Sequence, residues 1–200
     1  MKIIGITGGI GSGKTEVAKV FKRFGAIIIS GDEIGRDVVE KNQIIMKRLV
    51  KTFGRVILTK NSKLNRRKLG EIAFSSSEGK NKLNRIIHPY LLSNLRKKIK
   101  EYRKRKRGLV VVDAALIIEW GIQKELDYLI LVESNLKDRL KRLKEYSGYS
   151  QKEALNRIKA QIDYKTRRRY ADYIIRNDKD LNELRNRVIF LWEQLVSKMI

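Results

Sequence analysis

The chain has 200 residues and a formal net charge of +24, from 46 Lys and Arg against 22 Asp and Glu. It contains no Cys and a single His, which excludes a disulfide framework and any zinc or iron–sulfur site built on thiolates. Hydrophobic residues make up 42% of the sequence, which is enough for a packed core and excludes a disordered polycation. The length predicts one domain, with room for inserted lobes.

The apolar segments are too short to cross a membrane. Leu109–Val112 and Tyr128–Val132 have the length of strands, whereas a membrane span needs about 18 apolar residues. The N-terminal residues 1–4 run directly into glycines and lack the apolar segment of a signal peptide. We therefore expect no membrane segment and a location in the cytoplasm.

The N-terminal part of the chain is predicted to form a strand, a glycine loop, a helix and a second strand. Lys2–Ile6 is a short apolar run, and glycines follow it at once. Thr15–Phe24 has apolar residues at helical spacing, and Gly25 is typical of a helix end. Ala26–Ile29 is predicted to be the second buried strand.

The stretch 37–107 is predicted to be an inserted helical lobe, because it is too long for a simple crossover helix between two strands. Helical spacing predicts helices at Asp37–Phe53, Arg66–Phe74 and Asn81–Tyr102. His88-Pro89 is predicted to interrupt the last of these, since proline disfavours a helical conformation of the residue before it. The densest basic run, Arg96–Arg107, ends this stretch.

Strands and helices alternate in the remainder of the chain. The predicted strands are Leu109–Val112, Tyr128–Val132 and Tyr173–Ile175, and the predicted helices are Leu136–Glu145, Gln151–Ile162 and Leu181–Met199. Such alternation is typical of an α/β fold with a largely parallel sheet.

The sequence GGIGSGKT at Gly8–Thr15 fits G-x-x-x-x-G-K-[ST] between a predicted strand and a predicted helix, which is the context of a phosphate-binding P-loop. Backbone N–H groups of such a loop and the positive end of the next helix bind phosphate oxygens. Lys14 reaches the β- and γ-phosphates, and the Thr15 hydroxyl ligates Mg²⁺. The predicted phosphate-binding residues are Gly8, Gly9, Ile10, Gly11, Ser12, Gly13, Lys14 and Thr15.

Two carboxylates follow predicted strands, at the edge where parallel α/β sheets bind ligands. Asp32 comes after the second strand and is either a functional carboxylate, accepting a proton from an attacking hydroxyl or holding Mg²⁺, or a helix N-cap. Asp113 ends the third strand and is either part of a Mg²⁺ shell or a turn residue. The residues alone leave both alternatives open.

The size of the chain favours a small-molecule kinase over a motor or helicase, and the sequence contains no N-K-x-D tetrapeptide of the kind that GTPases use to read their base. Small-molecule kinases close a mobile lid over the triphosphate. The basic helix Leu136–Lys144 carries Arg139 and Arg142. These arginines either stabilise the transferring phosphoryl group or belong to a solvated basic face.

Several separated segments, in the right order, resemble the dephospho-CoA kinase family. The glycine loop segment Gly5–Thr15 resembles its opening. The other matching segments are Gly31–Val39, Leu64–Leu69 with Ile72–Phe74, Leu83 with Ile87–Pro89, Asp113–Glu119, Gln161, and Ala171–Asn177. In the lid, Gly148-Tyr149-Ser150 matches the family, but Ser147 stands where an Arg is usual. Which of Arg139 and Arg142 acts on the phosphoryl group therefore stays open.

The resemblance implies a P-loop NTPase-type, five-stranded parallel sheet flanked by helices, with an inserted helical acceptor-binding lobe and a helical lid. The core would be residues 1–36, 108–135 and 166–200, the lobe about 37–107 and the lid about 136–165. The implied activity is ATP-dependent phosphorylation of the ribose 3′-hydroxyl of dephospho-CoA, with Mg²⁺. Carried over by position, the resemblance implies that the catalytic residues are Asp32, Lys14, Arg139 and Arg142. It implies that the acceptor is bound by Asp32, Arg36, Arg66 and His88. Asn177 would lie near the ATP adenine.

The alternative functions are a nucleoside monophosphate kinase and a basic nucleic-acid-binding P-loop protein. No recognition-helix or RNP-like signature supports the second, so we expect no specific nucleic-acid partner and only nonspecific, salt-sensitive binding of polyanions. The expected partners are ATP and dephospho-CoA, and the expected assembly state is a monomer or a weak homo-oligomer.

Overall fold

The structure is a computed structural model that describes residues 1–105 and 108–197. The chain divides into two compact units. One unit comprises Met1–Gly31 and Lys97–Ile200, and the other comprises Asp32–Arg96. Among the described residues, no helix has both the length and the apolar character that a membrane span requires.

The first unit contains a five-stranded sheet in which every paired strand is parallel to its neighbour. The strands are β1 (Lys2–Gly8), β2 (Ile27–Ser30), β3 (Leu109–Asp113), β4 (Tyr128–Glu133) and β5 (Tyr173–Arg176), in the spatial order β2-β3-β1-β4-β5. Their aliphatic, β-branched runs suit a sheet that is covered on both faces. The predicted parallel sheet of five strands is confirmed.

The register brings the carboxyl ends of the central strands to one edge. Asp113 at the end of β3 lies opposite Ser30 at the end of β2 and opposite Ile6 of β1. The loops that leave β1, β3 and β4 therefore start close together, at the edge where open parallel sheets bind their ligands.

The helices of the first unit include α1 (Lys14–Arg23), α6 (Leu136–Ser147), α7 (Gln151–Lys159), α8 (Tyr164–Tyr170) and α9 (Leu181–Ser197). Of these, α1, α8 and α9 contact strands of the sheet. Helices α1 and α9 pack on one face, where Phe21 and Val188 are fully buried against Ile4 of β1. This core fixes the start of α1 relative to the end of β1, and so the loop between them.

The second unit is built from helices in its described residues. They are α2 (Gly31–Lys41), α3 (Gln43–Phe53), α4 (Arg66–Ala73) and the greater part of α5 (Ser77–Arg103). The single helix predicted at Asp37–Phe53 is wrong. Asn42 adopts an extended conformation and its side-chain oxygen accepts hydrogen bonds from the backbone N–H groups of Ile44 and Ile45. This cap ends one helix and starts the next.

The predicted interruption at His88-Pro89 is also wrong, because α5 continues through Pro89. Proline inside a helix removes one backbone hydrogen bond and costs about 3 kcal/mol. Beyond it, Leu91, Leu95 and Ile99 are spaced four residues apart and are all buried. Burying such side chains contributes about 1.5–3 kcal/mol each, which offsets the cost of the proline.

In the second half of the chain, one helix was missed, and two predicted segments extend into residues outside the described part. Helix α8 was not among the predicted elements, and a run of three arginines in seven residues gave no apolar spacing to indicate it. The last predicted helix, Leu181–Met199, is present as Leu181–Ser197, and Met199 lies outside the described residues. Of the basic run Arg96–Arg107, residues 106 and 107 also lie outside them.

Candidate active site

The glycine loop connects β1 to α1. Gly8 ends β1, and α1 begins at Lys14 after Gly13, whose φ of 96° is left-handed. Within the loop, the N–H of Ser12 donates to the carbonyl of Gly9 over 3.0 Å. The first turn of α1 presents backbone N–H groups and the positive end of the helix dipole to the loop. A tight loop of this kind at a helix N-terminus is suited to an anion.

Arg139 and Gln161 both form hydrogen bonds with the backbone of Ile10. The Nε of Arg139, on α6, donates to the Ile10 carbonyl over 2.9 Å. The Ile10 N–H donates to Oε1 of Gln161 over 2.8 Å. The Arg139 guanidinium also lies against Gly9, where a Cβ would collide with it. The segment that follows α7 and the helix α6 are therefore fastened to the same point of the loop.

Asn177 and Arg142 fix the other end of the loop. Asn177 is 4% exposed, and its amide donates to the Ser12 carbonyl over 2.8 Å. Arg142 donates to the carbonyls of Gly11 and Asn177 and to the hydroxyl of Ser134. The guanidinium of Arg142 is thus engaged by protein oxygens. Within the described residues, the Arg139 guanidinium donates a hydrogen bond only through Nε.

Gly13→Ala is expected to damage nucleotide binding rather than stability alone. An alanine there faces a left-handed backbone, which costs roughly 1–2 kcal/mol, and its Cβ would collide with the Asn177 amide that holds Ser12. Gly25→Ala is a matched control, because Gly25 has a φ of 88° and nothing lies within 4 Å of its Cβ position. Calorimetric titration with ATP should show at least about tenfold weaker binding for Gly13→Ala alone. Equal ATP affinity in the two variants would contradict the role of this packing.

Two of the oxygen donors that the sequence nominates for Mg²⁺ lie in the first unit. Thr15 lies in the first turn of α1. Asp113 ends β3 and lies opposite Ile6, which precedes the first glycine of the loop motif, Gly8, by two residues. Hydroxyl and carboxylate oxygens are the ligands that Mg²⁺ prefers, and this ion is usually held by one or two protein oxygens together with phosphates and water. The residues present therefore fit a Mg²⁺ ion that arrives with a nucleotide.

The residues nominated for the acceptor lie in the second unit. Asp32 and Arg36 are exposed and one turn apart on α2, a spacing that places them on one face. The Nη2 of Arg66 donates to the Arg36 carbonyl over 3.3 Å and pairs with Glu40 at 2.8 Å. Burial lowers the pKa of His88 below its ordinary value, and the charge of Lys80 adds to this effect. The imidazole is therefore neutral near pH 7.

A cavity of about 680 Å³ opens between the loop, the carboxyl ends of β4 and β5, and the segment 158–167. Gly9, Ser12, Arg139, Gln161 and Arg167 are among its lining residues. Arg167 was not nominated from the sequence. It stands in a run of three arginines, and a helix as short as α8 has no periodicity that marks the buried one.

Comparison with known proteins gives consistent matches over nearly the whole chain. The family model described as dephospho-CoA kinase matches residues 2–183. A dephospho-CoA kinase from Clostridium tetani is 37% identical over 191 residues, which cover 95% of this chain and 84% of that protein. The chain is thus similar in sequence to dephospho-CoA kinases over nearly its whole length.

Solved structures agree with this fold. A protein from Thermus thermophilus superposes with a TM-score of 0.76 at 29% identity, over 97% of each chain. A dephospho-CoA kinase from Campylobacter jejuni superposes with a TM-score of 0.72 at 24% identity, over 100% of each chain. The second match shows a shared fold over the full length of both chains.

Proposed function

We propose that this chain, which belongs to the dephospho-CoA kinase family, transfers the γ-phosphoryl group of ATP to the ribose 3′-hydroxyl of dephospho-CoA. The observation that carries the proposal is the family match over residues 2–183 together with a P-loop at the β1–α1 junction. In the reaction the 3′-oxygen forms a bond to the γ-phosphorus while the bond to the β,γ-bridging oxygen breaks. The products are coenzyme A and ADP.

The nucleotide side of the reaction is assigned to the glycine loop. Backbone N–H groups of Gly8–Thr15 hold phosphate oxygens, and the Lys14 ammonium balances charge on the β- and γ-phosphates. Thr15 and Asp113 would hold Mg²⁺, which would supply positive charge beside the phosphates of ATP. Asn177 and Arg142 keep the loop in shape through the hydrogen bonds to Ser12 and Gly11.

The acceptor side is assigned to α2 and its neighbours in the second unit. The Asp32 carboxylate accepts the proton that the 3′-hydroxyl loses as it attacks. Arg36 and Arg66, which approach each other through the Arg36 carbonyl, offer positive charge to the diphosphate of dephospho-CoA. His88 is neutral near pH 7 and offers a hydrogen bond without adding charge.

Arg139→Ala is expected to lower kcat more than Arg142→Ala does. The Arg139 guanidinium lies against Gly9 and lines the cavity, so its terminal nitrogens are available to the transferring phosphoryl group. Arg142 is engaged with Gly11, Ser134 and Asn177, so its removal should chiefly weaken ATP binding and lower Tm. Steady-state kinetics with both substrates separates the two effects. A larger kcat loss in Arg142→Ala would reverse the assignment.

The proposed substrate is tested by ADP release with a panel of acceptors. Purified enzyme is given ATP and Mg²⁺ with dephospho-CoA, with AMP or with no acceptor, at low and moderate salt. We expect ADP above the acceptor-free blank with dephospho-CoA only, at both salt concentrations. ADP release with AMP and none with dephospho-CoA would place the chain among nucleoside monophosphate kinases. The two salt concentrations exclude nonspecific binding to a strongly basic protein.

A further inference from the structure

Arg167 is a buried cation whose hydrogen-bonding capacity is largely unused. The residue is 4% exposed. Its Nε and Nη2 atoms are buried and donate no hydrogen bond to any described residue. Burying a guanidinium costs several kcal/mol unless its donors are paired. A buried charged group whose donors are unpaired within the protein is expected to have a further partner, such as a bound anion or water.

Glu119 forms an ion pair with Arg167 but does not use all of its hydrogen-bond donors. Its Oε1 lies 3.5 Å from Nη2 of Arg167 and 3.5 Å from the backbone nitrogen of Ile162. Both contacts are long for a charge-assisted pair, whose ordinary distance is about 2.7–2.9 Å. Glu119 therefore ties the start of the α8 segment to the loop after β3, and leaves donors of the guanidinium available to a ligand.

The surroundings of Arg167 are suited to an anion. Arg167 lines the cavity together with Arg139, Gly9 and Ser12. The Ser12 hydroxyl is also buried and without a hydrogen-bond partner among the described residues. Burial lowers the pKa of Arg139, and the positive charge of Arg167 lowers it further. Glu133, Asp163 and Asp178 also line the cavity, and the charge of Asp163 acts on Arg167. Beside the glycine loop, the two arginines and the unpartnered Ser12 hydroxyl are groups that can donate to phosphate oxygens.

We propose that Arg167 is a phosphate-binding residue of the nucleotide site, which donates to oxygens of the terminal phosphates of ATP, and that Glu119 positions it. The identity of the nucleotide rests on the proposed function. The neighbouring arginines of α8 do not share this role. Arg168 and Arg169 are exposed, and Arg168 donates to the Tyr164 hydroxyl at the surface over 3.1 Å.

The test compares Arg167→Met with Arg169→Met. Both variants remove one positive charge from α8, but Arg169 is exposed and lies outside the proposed site. Calorimetric titrations with Mg²⁺-ATP, AMP and dephospho-CoA measure each affinity without turnover, and thermal unfolding without ligand gives Tm. A charge-assisted hydrogen bond contributes about 1.5–3 kcal/mol, which corresponds to about 10- to 140-fold in Kd. We expect Arg167→Met to weaken the binding of ATP by that factor. Its affinities for AMP and dephospho-CoA should stay within about twofold of the wild-type values, and its Tm should not fall.

Three results would overturn the proposal. The first is a Tm several degrees lower with an unchanged preference for ATP over AMP, which would make Arg167 a structural ion pair with Glu119. The second is a loss confined to dephospho-CoA, which would place the residue on the acceptor side. The third is an equal loss of ATP affinity in Arg169→Met, which would indicate that ATP affinity depends on the net charge of the protein and not on the position of Arg167.

Two further measurements keep the test decisive. If Arg167→Met does not fold, Arg167→Lys serves in its place, because it retains the charge and loses the planar pair of donors. Arg167→Lys should weaken the binding of ATP by a smaller factor than that expected for Arg167→Met. Glu119→Gln should also weaken the binding of ATP, although Glu119 touches no ligand in the proposal. An unchanged ATP affinity in this variant would refute the positioning role of Glu119. A wild-type protein that binds ATP but does not phosphorylate dephospho-CoA would refute the proposed function and leave the inference about Arg167 standing.

Discussion

Asp32→Asn is expected to lower kcat by about 10²- to 10⁴-fold, the range that general acid–base catalysis supplies, while ATP binding stays within about twofold. The substitution keeps the size of the side chain and removes both its charge and its ability to accept a proton. Asp32 is exposed in the first turn of α2, so the substitution should not disturb the fold. Single-turnover measurements with saturating substrates report the chemical step directly.

Asp37→Asn is the matched control for Asp32. Asp37 lies on the same helix, is exposed and pairs with Lys41 at 3.0 Å one turn away. Such a surface pair contributes at most about 1 kcal/mol, so its loss should leave kcat nearly unchanged. Near-normal turnover in Asp32→Asn, or equal losses in the two variants, would refute the assignment of proton transfer to Asp32.

Lys14→Ala is expected to lower kcat/KM by at least about 10²-fold, because removal of a single group that stabilises charge in a transition state costs about 10²–10³. Lys14 is the first residue of α1, and its ammonium is assigned to the β- and γ-phosphates. The loss should therefore appear in steps that involve ATP, while the affinity for dephospho-CoA alone changes little. Titration with each substrate separately, followed by kinetics, checks both parts of this expectation.

Lys19→Ala controls for the loss of one positive charge from α1. Lys19 is exposed and pairs with Glu16 at 2.7 Å, away from the loop in the sequence. Its removal should leave kcat/KM close to that of the wild type. A Lys14→Ala enzyme as active as Lys19→Ala would contradict the assignment of the loop to the phosphates of ATP.

The sheet and the glycine loop were predictable because both depend on local patterns. Runs such as Leu109–Val112 are aliphatic and β-branched, and the Gly8–Thr15 motif prescribes a strand before it and a helix after it. Asn42 and Pro89 were harder to interpret. A short polar side chain split one predicted helix by capping its own neighbours, and buried side chains beyond Pro89 carried the other helix through a residue that disfavours it.

The residues that assemble the candidate site across the chain were only partly predictable. Arg142 and Asn177 could be nominated by resemblance, but their contacts with Gly11 and Ser12 depend on the folded structure. Arg167 has no distinguishing signal in the sequence, because its role depends on which arginine of a short helix is buried. Burial without hydrogen-bond partners is a property of the tertiary structure, and no local pattern reports it.

Identification of the reaction product is the most direct test of the proposed activity. Enzyme, ATP, Mg²⁺ and dephospho-CoA are incubated together, and the acceptor is recovered for mass spectrometry and phosphorus NMR. The predicted product carries one additional phosphoryl group, on the ribose 3′-oxygen, with ADP formed in equal amount. An acceptor recovered unchanged while the enzyme binds ATP, or a phosphoryl group at any other position, would contradict the proposed reaction.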